Sequence, residues 1–169
     1  MSSPLDQPLR SFLDELAART PTPGGGRNPF LGGVSCTAAN ACTAVGDFVN
    51  STPKQVPLAE RWNGTSWSVQ NAAIPSGSIS GFSSVSCSTT QFNIGCNAVG
   101  FVTKNGIGLP MAENWNGSTW AVKPVPAPDP NVTRSTMSSV SCSSLITCMG
   151  VGFYDTSGGV EAPVGELYS

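Results

Sequence analysis

The sequence predicts an all-β protein in which one unit of short strands is repeated along the chain. Three observations lead to this fold class. The 169 residues include 19 glycines and 14 prolines, which favour tight turns over long helices. Charged residues make up 11% of the chain, against roughly 25% in an average soluble domain. A sequence pattern also recurs along most of the chain, which is typical of a repeat architecture.

The repeat begins with a Val-Ser-Cys tripeptide that recurs at intervals of 51 and 55 residues. A second cysteine follows each tripeptide and opens a small pattern that ends in Val-Gly and an aromatic residue. About twenty residues later comes a Pro-x-x-Glu-x-aromatic motif. The tripeptides end at Cys36, Cys87 and Cys142, the second cysteines are Cys42, Cys96 and Cys148, and the later motifs span 57–62, 110–115 and 163–168.

Each unit is predicted to contain four short strands. The first strands lie near 30–36, 81–87 and 136–142, the second near 42–49, 96–103 and 148–154, and the third near 57–62, 109–115 and 162–168. The fourth strands lie near 65–70 and 118–123, and the third unit has none. Asn63-Gly64 and Asn116-Gly117 separate the third and fourth strands. Asn-Gly is the strongest signal for a two-residue hairpin turn, in which both residues take positive φ.

Four strands in about 40–50 residues is the period of a β-propeller blade. From residue 29 to the end, the chain resembles the blade repeats of secreted bacterial β-propeller proteins, which implies a fold and no particular ligand. The predicted architecture is an incomplete β-propeller-like array of about 2.7 four-stranded blades, preceded by one short N-terminal helix. The predicted blades span 29–80, 81–135 and 136–169. Propellers close with about four to eight blades, so two chains could complete a six-bladed ring; the alternative is a piece of a larger propeller.

The segment 1–28 differs from the rest and is predicted to be an amphipathic helix with a Pro/Gly linker. Residues 8–19 carry apolar side chains at helical spacing, and Pro21, Pro23 and Gly24-Gly25-Gly26 follow. Residues 9–26 resemble the N-terminus of the formiminotransferase-cyclodeaminase family, which are all-helical folate enzymes. The resemblance implies cyclodeaminase or cyclohydrolase activity, but it stops at Arg27, and one helix cannot enclose a folate. The glycines could cradle an anion or act as a flexible joint.

Six cysteines in three local pairs predict three disulfides, one in each unit. The pairs are Cys36 with Cys42, Cys87 with Cys96, and Cys142 with Cys148. A thiolate metal site would need shorter spacings and four ligands at one point. Disulfides indicate an extracellular origin, whereas the N-terminus lacks the apolar core of a signal peptide. The sequence therefore leaves the localisation open.

Several classes of function are excluded by composition. The chain contains no histidine, which removes Ser-His-Asp and Cys-His catalysis and His-ligated metals. With a net charge of −2 and no basic cluster, a nucleic-acid partner is not expected, and no apolar run is long enough to span a membrane. Glu60, Glu113 and Glu166 recur once per unit, so we expect them too far apart for paired carboxylate chemistry. No metal and no cofactor are predicted.

Trp62, Trp67, Trp115 and Trp120 flank the two Asn-Gly turns and are the candidate ligand-binding residues. They could form aromatic platforms for a glycan or protein ligand, or they could fix the strands by cross-strand packing. The sequence thus favours a non-enzymatic β-propeller-like repeat protein or fragment with a structural or binding role. The alternatives are a cyclodeaminase-type folate enzyme, supported only by the N-terminal resemblance, and a carbohydrate-binding module.

Overall fold

The computed structural model describes residues 26–73, 75, 79–91 and 93–168. All the secondary-structure elements in this part of the chain are β-strands, which confirms the all-β fold class. The predicted N-terminal helix lies outside the described residues, as does nearly all of the segment 9–26. No helix among the described residues is long and apolar enough to cross a membrane.

The eleven strands form three antiparallel sheets, each built from strands that follow one another in the chain. Sheet 1 contains β1 (Arg27–Ala38), β2 (Ala41–Val49), β3 (Gln55–Trp62) and β4 (Trp67–Gln70). Sheet 2 contains β5 (Ile79–Thr89), β6 (Ile94–Lys104), β7 (Ile107–Trp115) and β8 (Trp120–Lys123). Sheet 3 contains β9 (Val132–Cys142), β10 (Cys148–Thr156) and β11 (Glu161–Tyr168).

Each sheet has a disulfide between its first two strands. The bonds join Cys36 to Cys42, Cys87 to Cys96 and Cys142 to Cys148. In every case the two cysteines face each other directly across the antiparallel pair, with Cα atoms 3.9–4.0 Å apart. Such close facing pairs are the non-hydrogen-bonded pairs of an antiparallel ladder, so their backbone N–H groups point away from the partner strand.

A β-bulge recurs in the first strand of each sheet and explains one glycine of the repeat. The register shifts between Leu31 and Gly33 in β1 and between Phe82 and Ser84 in β5, and β9 shifts at the equivalent place. Gly46, Gly100 and Gly152 lie opposite these bulges, where a Cβ would overlap the carbonyl oxygen of the bulged strand. The glycine of the repeated Val-Gly pattern is therefore required because the backbone of the bulged strand comes too close for a side chain.

The turns differ from the sequence prediction. At Asn63-Gly64 and Asn116-Gly117 only the glycine has positive φ, and the loops contain four residues because Trp62 pairs with Trp67 and Trp115 with Trp120. The Asn Oδ1 atoms accept two backbone N–H bonds within each loop, at 2.9–3.0 Å. The two-residue turn with positive φ at both positions is instead Asn105-Gly106, with φ of 52° and 81°.

The strand limits also differ from the prediction at several ends. β1 starts at Arg27, within the segment predicted as linker, and β4 and β8 start only at Trp67 and Trp120. β9 starts four residues before the predicted position 136. This extension is polar, and Arg134 pairs with Asp155 on β10 through a 2.8 Å ion pair. Such charged residues do not give an apolar strand signal in the sequence.

The sheets pack face to face in chain order, and the first strand of each later sheet makes the contact. β5 contacts β1, β2 and β3, and β9 contacts β5, β6 and β7. The core between sheets 1 and 2 includes Val45, Ala59, Phe82 and Val85. The core between sheets 2 and 3 includes Val99, Ala112, Met137 and Val140. Val85 and Val140, the first residues of two Val-Ser-Cys motifs, therefore fill equivalent inter-sheet positions.

The serine of the motif links successive sheets by hydrogen bonds. The N–H of Cys87 donates to Ser35 Oγ at 2.9 Å, and the N–H of Cys142 donates to Ser86 Oγ at 3.0 Å. These are the N–H groups that the facing cysteine pairs leave pointing outwards. The tripeptide thus supplies the apolar contact, the hydrogen bond and the disulfide of each inter-sheet interface.

Candidate functional site

Two clefts open between successive sheets and are the candidate functional site. The first cleft, between sheets 1 and 2, has a volume of about 650 Å³ and includes Arg61, Gln70 and Thr90 in its wall. The second cleft, between sheets 2 and 3, has a volume of about 510 Å³ and includes Asn97, Asn114, Lys123 and Ile146 in its wall. Trp115 and Asn116 line both clefts.

Side-chain amides form one part of the wall of the second cleft, and the apolar side chains of Ile94, Leu145, Ile146 and Leu167 form another. Asn97 and Asn114 face each other across β6 and β7. Asn114 Nδ2 donates to Asn97 Oδ1 and to the carbonyl of Cys96, both at 3.3 Å. Asn97 Nδ2 in turn lies 3.6 Å from Cys142 Sγ in sheet 3. Because these contacts fix both amides, the cleft has preorganised hydrogen-bonding groups.

The first cleft has a cation where the second has an amide. Arg61 and Thr43 occupy the positions equivalent to Asn114 and Asn97, and Arg61 Nη1 donates to Thr43 Oγ1 at 3.3 Å. The guanidinium carbon lies 4.3 Å from the centroid of the Trp115 ring, in a cation–π contact. Burial lowers the pKa of Arg61 from its ordinary value, but an arginine stays charged in proteins.

Most of the candidate tryptophans are packed inside the protein. Trp67, Trp115 and Trp120 are buried, and Trp62 is half-buried. Trp62 and Trp67 pack on each other with centroids 5.6 Å apart. Trp120 Nε1 donates to Gln70 Oε1 at 3.0 Å and thereby joins sheets 1 and 2. The buried rings therefore do not offer open platforms, and Trp115 is the candidate that lines the clefts.

The repeated glutamates are separate from one another and lie on different sheets. Glu60 and Glu113 are fully buried on β3 and β7, and Glu166 is half-buried on β11. Burial raises the pKa of Glu60 and that of Glu113 to about 7. Glu113 Oε2 accepts a 3.0 Å hydrogen bond from the N–H of Ala73, which partly offsets the rise. Neither oxygen of Glu60 has a hydrogen-bond partner among the described residues.

No group of three acidic, cysteine or histidine side chains in the described part of the chain could hold a metal ion. The cysteines are all in disulfides. No protein-family model matches the chain, and a search of curated proteins finds no match either.

The amide pair of the second cleft was missed by the sequence analysis. Asn97 and Asn114 lie seventeen residues apart and meet only through the register of β6 and β7. A signal was present in the aligned repeats, because positions 43 and 61 carry Thr and Arg where 97 and 114 carry Asn. A pair that changes within an otherwise constant motif is a reasonable place to look for a binding surface.

Proposed function

We propose that this chain is a non-enzymatic β-propeller-like repeat protein, in which the three sheets are successive blades with a structural or binding role. The observation that carries the proposal is the repeated inter-sheet interface. Ser35 binds the Cys87 N–H as Ser86 binds the Cys142 N–H. The first strands β1, β5 and β9 are also successive neighbours, as the inner strands of propeller blades are. In this proposal the blades begin with β1, β5 and β9, at Arg27, Ile79 and Val132, a few residues before the limits 29, 81 and 136 expected from the sequence.

The binding role is proposed for the second cleft, with a glycan as its ligand. Sugar hydroxyls need fixed donors and acceptors. The internal contacts use both N–H bonds of Asn114 and hold the two amides in place, so Asn114 Oδ1 can accept and the second N–H of Asn97 can donate to a ligand. The described residues that line this cleft include Lys123 and no carboxylate, so an uncharged or acidic sugar fits better than a basic ligand. A protein ligand that presents hydroxyl or carboxylate groups is the second candidate, and the same chemistry favours it.

A glycan array followed by calorimetry with the best ligand tests this role. Lys123→Met removes an exposed cation from the second cleft and is expected to weaken binding of an acidic sugar about tenfold, the usual size of a charged hydrogen bond. Lys104→Met is the matched control, because Lys104 is also exposed and lies at the Asn105-Gly106 turn, outside the second cleft. Equal loss in both variants would contradict a site in the second cleft.

A separate experiment tests the alternative that the chain is a folate enzyme. That alternative depends on residues 9–26, of which the structure describes Gly26 alone. The full chain should neither bind folates in calorimetry nor turn over a formimino-folate substrate. Turnover at a rate above a heat-inactivated sample would overturn the proposal.

The three disulfides also support an oxidising compartment. We therefore propose a secreted-like origin for the blades. Alkylation of the protein in its native host, before any reduction, should label no cysteine if the chain is exported. Six labelled thiols would contradict export.

A further inference from the structure

The face of sheet 3 that points away from sheet 2 carries exposed apolar side chains on β10 and β11. Met149 and Val151 on β10 are each 49% exposed, and Leu167 on β11, which also borders the second cleft, is 64% exposed. Val151 occupies the position of Val45 in sheet 1 and of Val99 in sheet 2, which are both fully buried by the first strand of the next sheet. This face, called here the forward face of sheet 3, therefore has the form of an inter-sheet interface without its second half.

Sheet 1, at the other end of the stack of three sheets, has the complementary half of such an interface on β1. Val34 on β1 is 50% exposed, whereas Val85 and Val140, at the same place in their Val-Ser-Cys motifs, are 6% and 7% exposed. The difference arises because β5 and β9 each pack on a preceding sheet. Among the described residues no sheet precedes β1. Only β1 needs to be open for docking, because the later sheet makes its contacts through its first strand.

Polar groups at the two ends also match. Ser141, in the position of Ser35 and Ser86, is exposed on β9. Cys36 is exposed on β1, and its pairing with Cys42 points its N–H away from β2. The two ends thus hold one acceptor and one donor of the same hydrogen bond that joins sheets 1 to 2 and sheets 2 to 3.

We infer that β1 of a second copy of this chain docks on the forward face of sheet 3. Val34 of one copy packs on Val151 of the other, and the Cys36 N–H donates to Ser141 Oγ. The contact is heterologous, and made twice it closes two chains of three sheets into one ring of six. The inference rests on the proposed blade-like stacking and specifies the partner that such an array takes.

The exposed pair Met149 and Leu167 gives further support to a protein partner at this face. They face each other across β10 and β11, at the positions of Thr43 and Arg61 in sheet 1 and of Asn97 and Asn114 in sheet 2. Thr43 and Asn97 each contact a disulfide sulfur of the next sheet, at 3.5 and 3.6 Å. A methionine at this place would lie against the Cys36–Cys42 disulfide of the second copy, where an apolar side chain is suitable.

The test measures the native mass of the full chain by light scattering across a range of concentrations. We expect twice the mass of one chain. Val151→Asp and Val34→Lys should each give monomers, because either change places an unpaired charge in both interfaces and weakens dimerisation about 100-fold or more. An equimolar mixture of the two variants should restore the dimer, since one interface is then native and the other pairs the two introduced charges. Val122→Asp is the matched control, because Val122 is 51% exposed on β8 and lies at neither end.

Each other result overturns the inference in a recognisable way. A monomer at all concentrations shows that the second copy does not dock. A dimer that persists in Val34→Lys shows that the forward face pairs with itself. Slow amide exchange in β5 and β9 of such a sample would leave the stacking of the sheets intact, whereas fast exchange there would overturn the proposed blade array as well.

Discussion

Removal of the Cys87–Cys96 disulfide in sheet 2 is expected to destabilise the protein more than removal of the Cys36–Cys42 disulfide in sheet 1. The bridge joins residues 9 positions apart, and closing such a loop contributes about 2.6 kcal/mol in the chain-entropy model. Cys96 is also fully buried in the core between sheets 1 and 2, and its Sγ lies 3.5 Å from Thr43 Oγ1. The double variant Cys87→Ala/Cys96→Ala should therefore lose about 3 kcal/mol, once the lost packing is included.

The matched control is Cys36→Ala/Cys42→Ala. Its bridge joins residues 6 positions apart, which corresponds to about 2.2 kcal/mol. Cys42 is buried within sheet 1, but Cys36 is exposed on β1, so less packing is lost than at Cys87–Cys96. Urea unfolding followed by tryptophan fluorescence measures both losses, with equal m-values as the condition for comparing them. A loss below about 1 kcal/mol in both variants would show that the bridges do not stabilise the sheets. A larger loss at Cys36–Cys42 would show that the interface between sheets 1 and 2 is not the central core.

Two other predictions concern charge and backbone. The unfolding free energy should fall as the pH rises from 5 to 8, because Glu60 and Glu113 have pKa values of about 7 when folded and ionise near 4.3 when unfolded. The chain has no histidine to titrate in this range; Glu60→Gln/Glu113→Gln should flatten the fall, and a rise with pH would contradict the buried carboxyls. Gly100→Ala should cost about 3 kcal/mol, because its Cβ would overlap the Gly81 carbonyl. Gly106→Ala, where φ is 81° in open space, should cost about 1–2 kcal/mol, and the reverse order in urea unfolding would refute the bulge explanation.

The all-β class and the disulfide pairing could be predicted because both depend on local or repeated information. Five residues lie between Cys36 and Cys42 in the sequence, so a hairpin brings the two cysteines together whatever the rest of the fold does. The alignment of the repeats also placed Val34, Val85 and Val140 at equivalent positions. Their different burial was not predictable from one unit, because it depends on which sheets have a neighbour.

Turn geometry and the clefts were beyond the sequence for a different reason. Asn63-Gly64 and Asn105-Gly106 have the same two residues, yet one belongs to a four-residue loop and the other is a tight turn. The register of the flanking strands decides between them, and Trp62 opposite Trp67 fixes that register in sheet 1. The clefts arise where two sheets meet, so no single strand pattern could indicate them.

The variation at one pair of positions separates the scaffold of this protein from its surface chemistry. The Val-Ser-Cys motif, the bulge and the opposing glycine keep the backbone of each unit the same. On that constant frame, the pair next to the disulfide is Thr43 with Arg61, then Asn97 with Asn114, and in sheet 3 the apolar pair. Arg61 lines the first cleft above a buried Thr43, and both asparagines line the second, whereas Met149 and Leu167 are 49% and 64% exposed and Leu167 also borders the second cleft. Exposing a methionine and a leucine side by side has a hydrophobic cost in water, so the third pair is better suited to a protein partner than to solvent or a sugar.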